Sequence, residues 1–336
     1  MKRKEQNFYL DKSDKSSCLP SVSVLLAVYK PNEEWFIKQL ISLNEQTYSN
    51  IELYIYDDCP AYPVNEEIIK KYITSFPYYI YGGIKNEGSN RAFEELTKRA
   101  TGDLFAYCDQ DDMWENNKIS LMVEKFVDEK VTLVCSDLSI IDENSIQIAG
   151  SITEIRKRHK FKSGYNLAKD LLMSNFVTGC AMMVRSEIAK KAVPFEKNLI
   201  HDQWISIIAA INGKIEFINE PLVRYRQHSF NQTGILSGIV DKQTYYEIRI
   251  EDIFRRYISL KIRLGSNYEL EEHINQCLKW IMARKNYFFK PSIKNLNVMI
   301  KYRKFHKVSI LIETFLPFLP NSVFKYIIKL TKRGIL

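Results

Sequence analysis

Nowhere in the 336 residues does an apolar run approach the ~18 residues that a membrane-spanning helix needs. The N-terminal stretch MKRKEQNFYLDKSDKSSCLP starts basic but has no apolar segment behind it, so no secretory signal is expected. The six cysteines, Cys18, Cys59, Cys108, Cys135, Cys180 and Cys277, are scattered and form no CxxC pair. That argues against a disulfide scaffold or a cysteine-based zinc site, and they are read as reduced thiols of a cytosolic protein. There is no internal repeat and no low-complexity segment. What remains is ordinary globular material: 46% hydrophobic and 26% charged residues, enough for a sizeable core.

The net charge of +8 is placed unevenly. From residue 241 onward 19 Lys+Arg stand against 8 Asp+Glu, whereas the first 240 residues hold 29 against 32. A neutral-to-acidic body is followed by a basic tail, the pattern of a chemistry-bearing domain joined to a segment that meets something anionic. Three regions are therefore expected: a polar lead-in over 1–19, a catalytic domain over 20–240 and a basic helical region over 241–336.

From Ser21 the pattern alternates. SVSVLLAVY (21–29), NIELYIYDD (50–58), YYIYGG (78–83), DLFAYCD (103–109) and VTLVCSDLSIID (131–142) read as strands, the first an apolar run suited to a buried parallel sheet. Helical spacing fills the gaps over 33–46, 65–76, 88–102 and 115–129. A strand running into a helix is expected over 177–193, a helix over 201–213, and two short strands, KIEFIN and PLVRYRQH, over 214–228. After about Asp241 the pattern is all helical. The βαβα alternation predicts a doubly wound, mostly parallel α/β sheet. Such sheets bind ligands at the carboxyl ends of their strands, and Tyr29, Asp57-Asp58, Asn86 and an aspartate cluster all fall there.

That cluster, YCDQDDMW (107–114), sets three carboxylates, Asp109, Asp111 and Asp112, in four positions. Carboxylates spaced this way at a sheet rim suit a hard divalent cation such as Mg2+ or Mn2+, which completes its shell with water and substrate phosphates. A calcium loop is excluded: counting from Asp109, the sixth position is Trp114 rather than glycine and the twelfth is Ser120 rather than glutamate. The plainer alternative is a solvated turn capping the next helix.

SVSVLLAVYK, ELYIYDDC and KNEGSNRAFEELTKRATGDLFAYCDQDDMW, in this order, resemble the N-terminal half of a family 2 glycosyltransferase with the GT-A (Rossmann-like) fold. HDQW and YRQH resemble that family's later motifs, so the likeness spans about residues 20–232. DQDDMW with HDQW and YRQHSFNQTG is most similar to the bacterial rhamnosyltransferase-like branch, which builds surface polysaccharides. The resemblance implies an inverting, metal-dependent transfer from a dTDP- or UDP-sugar to a hydroxyl of a glycan or lipid-linked acceptor. Ala27 and Tyr29 would lie against the base, and Asp58, beside Asp57, would accept its imide N–H. Asn86, Gly88 and Arg91 would stand near the nucleotide, although Arg91 reads equally as a surface charge. Asp109 would face the ribose or a metal-bound water. Asp111 or Asp112 would hold the ion, with His228 as a metal or phosphate contact. Asp202 would be the catalytic base. Gly179, Cys180, His201, Trp204 and Arg226 would line the donor-sugar or acceptor side. Two departures stand out: Cys59-Pro60 follows the second-strand aspartates where the family has Gly-Ser, and His201 stands where it often has Glu.

Two other functions were weighed. A nucleotidyltransferase would want a glycine-rich phosphate loop early in the chain, and AVYKPNEEW has none. A sugar- or nucleotide-binding module without catalysis would share the donor site. For the basic tail, a peripheral contact with an anionic membrane surface competes with a helical cap or homo-oligomer interface. Nucleic acid is not expected, because no recognised binding motif accompanies the charge.

Overall fold

The computed structural model describes residues 19–228, 238–305 and 307–332. The lead-in over 1–18, with Cys18, and part of the YRQHSFNQTG stretch therefore lie outside the described residues. Nine strands form one sheet: β1 (Val22–Val28), β2 (Ile51–Asp57), β3 (Tyr78–Gly82), β4 (Leu104–Cys108), β5 (Met113–Trp114), β6 (Val131–Ile141), β7 (Gln147–Ala149), β8 (Met182–Arg185) and β9 (Lys214–Arg226). Their order is β3-β2-β1-β4-β8-β6-β9-β5, with β7 beside β6. The β1–β2, β1–β4, β2–β3 and β6–β9 pairs are parallel, and β8 joins β4 to β6 by antiparallel pairing.

The helices between them are α1 (Glu33–Asn44), α2 (Glu66–Tyr72), α3 (Ser89–Arg99), α4 (Lys118–Lys125), α5 (Ile152–Ile155), α6 (Ala168–Met173), α7 (Ser186–Lys191) and α8 (His201–Asn212). Alternation of side chains along each strand divides the core in two. Leu25, Tyr54, Phe105 and Tyr107 face a layer containing Phe93 of α3 and Ile205 of α8. Val24, Leu26, Leu53 and Ala106 face Phe36 and Leu40 of α1 and Ile119 of α4. Both faces are covered, so the strands are apolar throughout, as the sequence pattern requires.

The predicted five N-terminal strands are present. KIEFIN and PLVRYRQH are one strand rather than two: β9 runs through, and its register against β6 shifts between Ser136↔Ile218 and Asp137↔Pro221. Pro221 has no N–H for the ladder, and a register shift is where a strand tolerates that loss. Two short strands are additional. One, β5, pairs Met113 with Arg224 and Trp114 with Val223, fastening the aspartate loop to the end of β9.

The remainder is helical: α9 (Lys242–Tyr246), a π-helical turn over Glu247–Glu251, α10 (Asp252–Leu264), α11 (Tyr268–Phe289), α12 (Ile293–Lys301), α13 (Lys307–Phe315) and α14 (Asn321–Lys332). Leu260, Leu264, Leu270, Ile274 and Trp280 of α10 and α11 join the core layer of α8. Specific bonds fix the docking: Tyr257 Oη donates to Leu172 O (2.9 Å), and Ser259 Oγ to Glu196 (2.7 Å). The helical region thus braces α6 and the segment leading into α8. No helix among the described residues is long and apolar enough to cross a membrane, and the five described cysteines are buried and not in disulfides.

Candidate active site

Strand order reverses between β2-β1 and β1-β4, which makes the crevice beyond β1 and β4 the topological switch point of the sheet. Gln110, not singled out from the sequence, closes this point. Its Oε1 accepts from Tyr29 N (2.7 Å) and its Nε2 donates to Tyr29 O (3.1 Å). Tyr29 itself stays exposed. Lys30 follows with φ 44°, its ammonium against the rings of Tyr29 and Tyr62 (5.5 and 5.1 Å to the centroids). Ala27 is half-buried on β1.

At the end of β2 the two aspartates serve their own loops. Asp57 accepts from Cys59 N (2.9 Å) and Val64 N (2.6 Å), so the Cys59-Pro60 turn is held without the family's Gly-Ser. Asp58 accepts from Glu87 N (2.9 Å) and Gly88 N (2.7 Å), tying β2 to the loop before α3. Gly88 has φ 86°, a conformation that favours glycine. Asn86 is exposed in the same loop. Arg91 is engaged by Glu94 and by Glu95 (2.8 Å) on its own helix, which favours its reading as a surface charge over a nucleotide contact.

The three aspartates after β4 divide into different environments. Asp112 is fully buried: Oδ1 accepts from Arg226 N (3.0 Å), and Oδ2 makes no hydrogen bond of good geometry and lies against the Cys180 thiol. Burial, then Asp111 and Asp109, push its carboxyl well above the ordinary range. Asp111 is partly exposed, and its Oδ2 lies 2.7 Å from His228 Nε2. Asp109 is raised to about 7, first by burial and then by the charges of Asp111 and Asp202. That repulsion records a long-range fact: the carboxyl groups of residues 109 and 202, far apart in the chain, lie near enough for their charges to interact.

Asp202 occupies the first turn of α8 and is almost buried, at 7% exposure. Oδ1 accepts from Asn175 Nδ2 (3.0 Å) and from Gln203 N, and Oδ2 from Gly179 N (3.1 Å). Burial pushes its carboxyl up to about 7, opposed by those bonds. It is held in place by three donors yet poised to exchange a proton near neutrality. The first turn of α8 is tied to α3 by Asn90, which accepts from His201 N (2.8 Å) and donates to Leu199 O (2.6 Å).

Four residues expected on the donor-sugar or acceptor side stand elsewhere. Trp204 is core: it is 1% exposed, and its Nε1 donates to Ala192 O (2.7 Å). His201 is buried on Phe93 (4.1 Å between centroids) and near Tyr107, and burial lowers it to about 3, so it is a neutral packing ring. Arg226 is buried and clamps loops: Nε donates to Asp111 O (2.8 Å), and Nη1 to Asp142 O (2.9 Å) and Ser145 Oγ (3.0 Å). Cys180 is buried with its thiol pushed well above the usual range by burial and the nearby aspartates, which removes it as a nucleophile. Gly179 is buried beside Asp202, to which its N–H donates, and a Cβ there would come within 2.7 Å of His201 Nε2.

Sequence reading missed further contributors. Lys118 at the start of α4 is wholly buried beneath the acidic loop. Its ammonium donates to Cys180 O (2.7 Å) and sits 3.0 Å from the centroid of Trp114, and burial lowers it to about 7. Trp35 lies between Arg226 (5.2 Å) and His228 (4.9 Å) and donates to Glu143 O (3.0 Å). Asn175 carried no sequence signal.

Two donor sets fit a cation differently. Asp109, Asp112 and Cys180 offer atoms within 4.8 Å of one another. Two of the three are closed off, however, and the thiol is held protonated, which suits a hard ion poorly. Asp111 Oδ2 and His228 Nε2 meet at 2.7 Å, with Asp111 partly exposed and the His228 side chain 7% exposed, and a carboxylate and an imidazole are donor types that Mn2+ accepts.

A family model described as Glycosyl transferase family 2 matches residues 23–191. The chain is 26% identical over 268 residues to an uncharacterized glycosyltransferase of Nostoc sp., covering 75% of this chain and 80% of the relative. It is 24% identical over 198 residues to the Escherichia coli UDP-Glc:alpha-D-GlcNAc-diphosphoundecaprenol beta-1,3-glucosyltransferase WfgD, covering 57% and 73%. The fold is similar to that of S. aureus TarS in complex with UDP-GlcNAc, with a TM-score of 0.54 at 15% identity over 94% of this chain and 92% of that one.

Proposed function

The chain belongs to glycosyl transferase family 2 and is a glycosyltransferase, and from that premise we propose an inverting transfer from a uracil or thymine nucleoside diphosphate sugar to an acceptor hydroxyl. The observation that carries the proposal is Asp202 in the first turn of α8, held by three donors, with its carboxyl raised to about 7 and near enough to Asp109 after β4 for their charges to interact. Asp202 takes the proton of the acceptor hydroxyl while that oxygen attacks the anomeric carbon in line. The bond from that carbon to the diphosphate oxygen breaks, and the nucleoside diphosphate leaves with the electron pair. General-base assistance of this kind contributes about a hundredfold to ten-thousandfold.

The chain's other residues position the reactants. Tyr29, exposed at the end of β1, would stack on the base, with Ala27 behind it and Asp58 toward the imide. Asp109 would face the ribose, and Gly179 would lie under the donor sugar. Asp111 and His228 would hold a divalent ion, preferably Mn2+, which when bound would neutralise charge on the diphosphate. Of the two aspartates left open by the sequence, Asp111 is favoured because Asp112 is committed to Arg226 N.

The acceptor proposed is a glycan or a lipid-linked sugar of a surface polysaccharide, and the similar E. coli enzyme is named for transfer to a diphosphoundecaprenol-linked GlcNAc. Rhamnose as the transferred sugar rests on the likeness of DQDDMW, HDQW and YRQH alone. A panel of UDP- and dTDP-sugars, offered with Mn2+ and sugar-diphosphate-lipid acceptors, tests the reading. Release of one nucleoside diphosphate with a product of inverted anomeric configuration is expected. Retention of configuration, or no turnover with any uridine or thymidine donor, would refute it.

A further inference from the structure

The charge of the helical region is almost one-signed. From His273 onward there are thirteen lysines and arginines and a single acidic residue, Glu313. Glu313 is buried and already engaged by Arg284 (2.7 Å) and Tyr245 (2.9 Å). It therefore offers nothing to the exposed cations.

Part of that charge converges. Helices α10, α11 and α12 enclose a cleft of about 750 Å3, to which each contributes a lysine: Lys261, Lys279 and Lys301. Among the described residues no ion pair ties any of the three. Amide side chains of Asn275, Asn286 and Asn295 share the lining, over a floor that includes Leu278 and Val298. Three ammonium groups and amide donors are the chemistry that a phosphate takes, and an apolar floor suits a ligand that is not itself a simple ion.

Aliphatic side chains on the same three helices stand in water. Ile262, next to Lys261, is 81% exposed, and Ile293 on α12 is 79% exposed. Met282, in the cleft wall, and Ile300, next to Lys301, are exposed as well. Phe315 and Phe318 extend the same character beyond α12. Cationic and exposed apolar side chains on short helices are what an anionic lipid interface selects. A nucleic acid would not use the aliphatic groups.

We propose that this cleft and its aliphatic surround seat the phosphate headgroup of an anionic phospholipid and hold the helical region on a membrane surface. The proposal goes beyond the transfer reaction and needs neither donor nor acceptor. The test is co-sedimentation of the full chain, without nucleotide, with vesicles of phosphatidylcholine alone or mixed with phosphatidylglycerol. Binding to the mixed vesicles only is expected. Charge reversal at Lys261→Glu, Lys279→Glu and Lys301→Glu together should weaken it by about a hundredfold or more, since each lysine is worth about fivefold. Ile262→Ser with Ile293→Ser should weaken it with no change of charge. All five positions are exposed, and thermal melting checks that both variants keep the fold. Equal binding to neutral and anionic vesicles, no binding, or an unaffected triple variant would overturn the proposal. Retention of inorganic phosphate by the parent but not by the triple variant, with no binding to either kind of vesicle, would assign the cleft to a free anion and likewise overturn it. A chain that binds vesicles but transfers no sugar would leave this inference standing and defeat the functional one.

Discussion

Replacing Asp202 by Asn separates chemistry from stability at one side chain. The amide keeps the size of the carboxylate and removes the base, so kcat for transfer should fall by about a hundredfold to ten-thousandfold. The structure also sets the stability change. Asp202 sits at about 7 instead of the usual 3.8 because burial disfavours its charge. Its folded-state value is raised, so its favourable contribution is complete below about pH 3.8 and is lost as pH rises through 7. Above 7 the buried carboxylate costs the fold on the order of 4 kcal/mol. Asn escapes that cost but offers one acceptor oxygen where Asn175, Gln203 and Gly179 now use two, a loss of about 1–3 kcal/mol. At pH 8 the variant should therefore be inactive yet as stable as the parent, or more so by about 1–3 kcal/mol. At pH 5 the advantage should vanish. Urea denaturation at both pH values, beside donor turnover, gives the answer. Turnover within a few-fold of the parent would refute the base assignment, and a variant much less stable at pH 8 would refute the burial account.

Three further outcomes follow from the same pocket. In the parent, kcat/KM should fall as pH drops below about 7, because protonated Asp202 accepts no proton; a profile flat from pH 5 to 8 would contradict this. Gly179→Ala drives a methyl to 2.7 Å from His201 Nε2, and should cost about 1–3 kcal/mol of stability and much of the activity. Calorimetric melting should show partial rescue when His201→Ala is added, and no rescue would mean the clash is absorbed elsewhere. Lys118→Met removes the donor to the buried Cys180 carbonyl, a loss of about 1–3 kcal/mol, and also an amine that burial lowers to about 7, so the variant should gain stability relative to the parent as pH falls from 9 toward 7. Melting curves whose difference does not change with pH would contradict the burial of that amine.

Strand ends were legible because parallel strands buried on both faces must be apolar, which leaves their first polar residues to mark the rim. Asp109 and Asp111 were picked out in that way, whereas Asp202, at the start of a helix, came from the likeness of HDQW to the family's motif. Side chains recruited into the interior were not. His201, Trp204 and Arg226 have the chemistry of a site, but their burial depends on neighbours far along the chain: Phe93, Ala192 and the loop at Asp142. The same distance hid Gln110, whose role is visible only once β1 and β4 lie side by side, and Asn175, whose partner is 27 residues on. β5 escaped because two residues carry no period; its pairing with β9 is what brings His228 back to Asp111.

The central claim is a nucleotide-sugar site completed by a divalent ion on Asp111 and His228. Titration calorimetry of UDP and dTDP, with and without Mn2+, tests it most directly. At least one nucleotide should bind about tenfold or more tightly with Mn2+, and Asp111→Asn or His228→Ala should erase that gain while leaving metal-free binding in place. Metal-independent binding of both nucleotides, or a gain that survives both substitutions, would contradict the account.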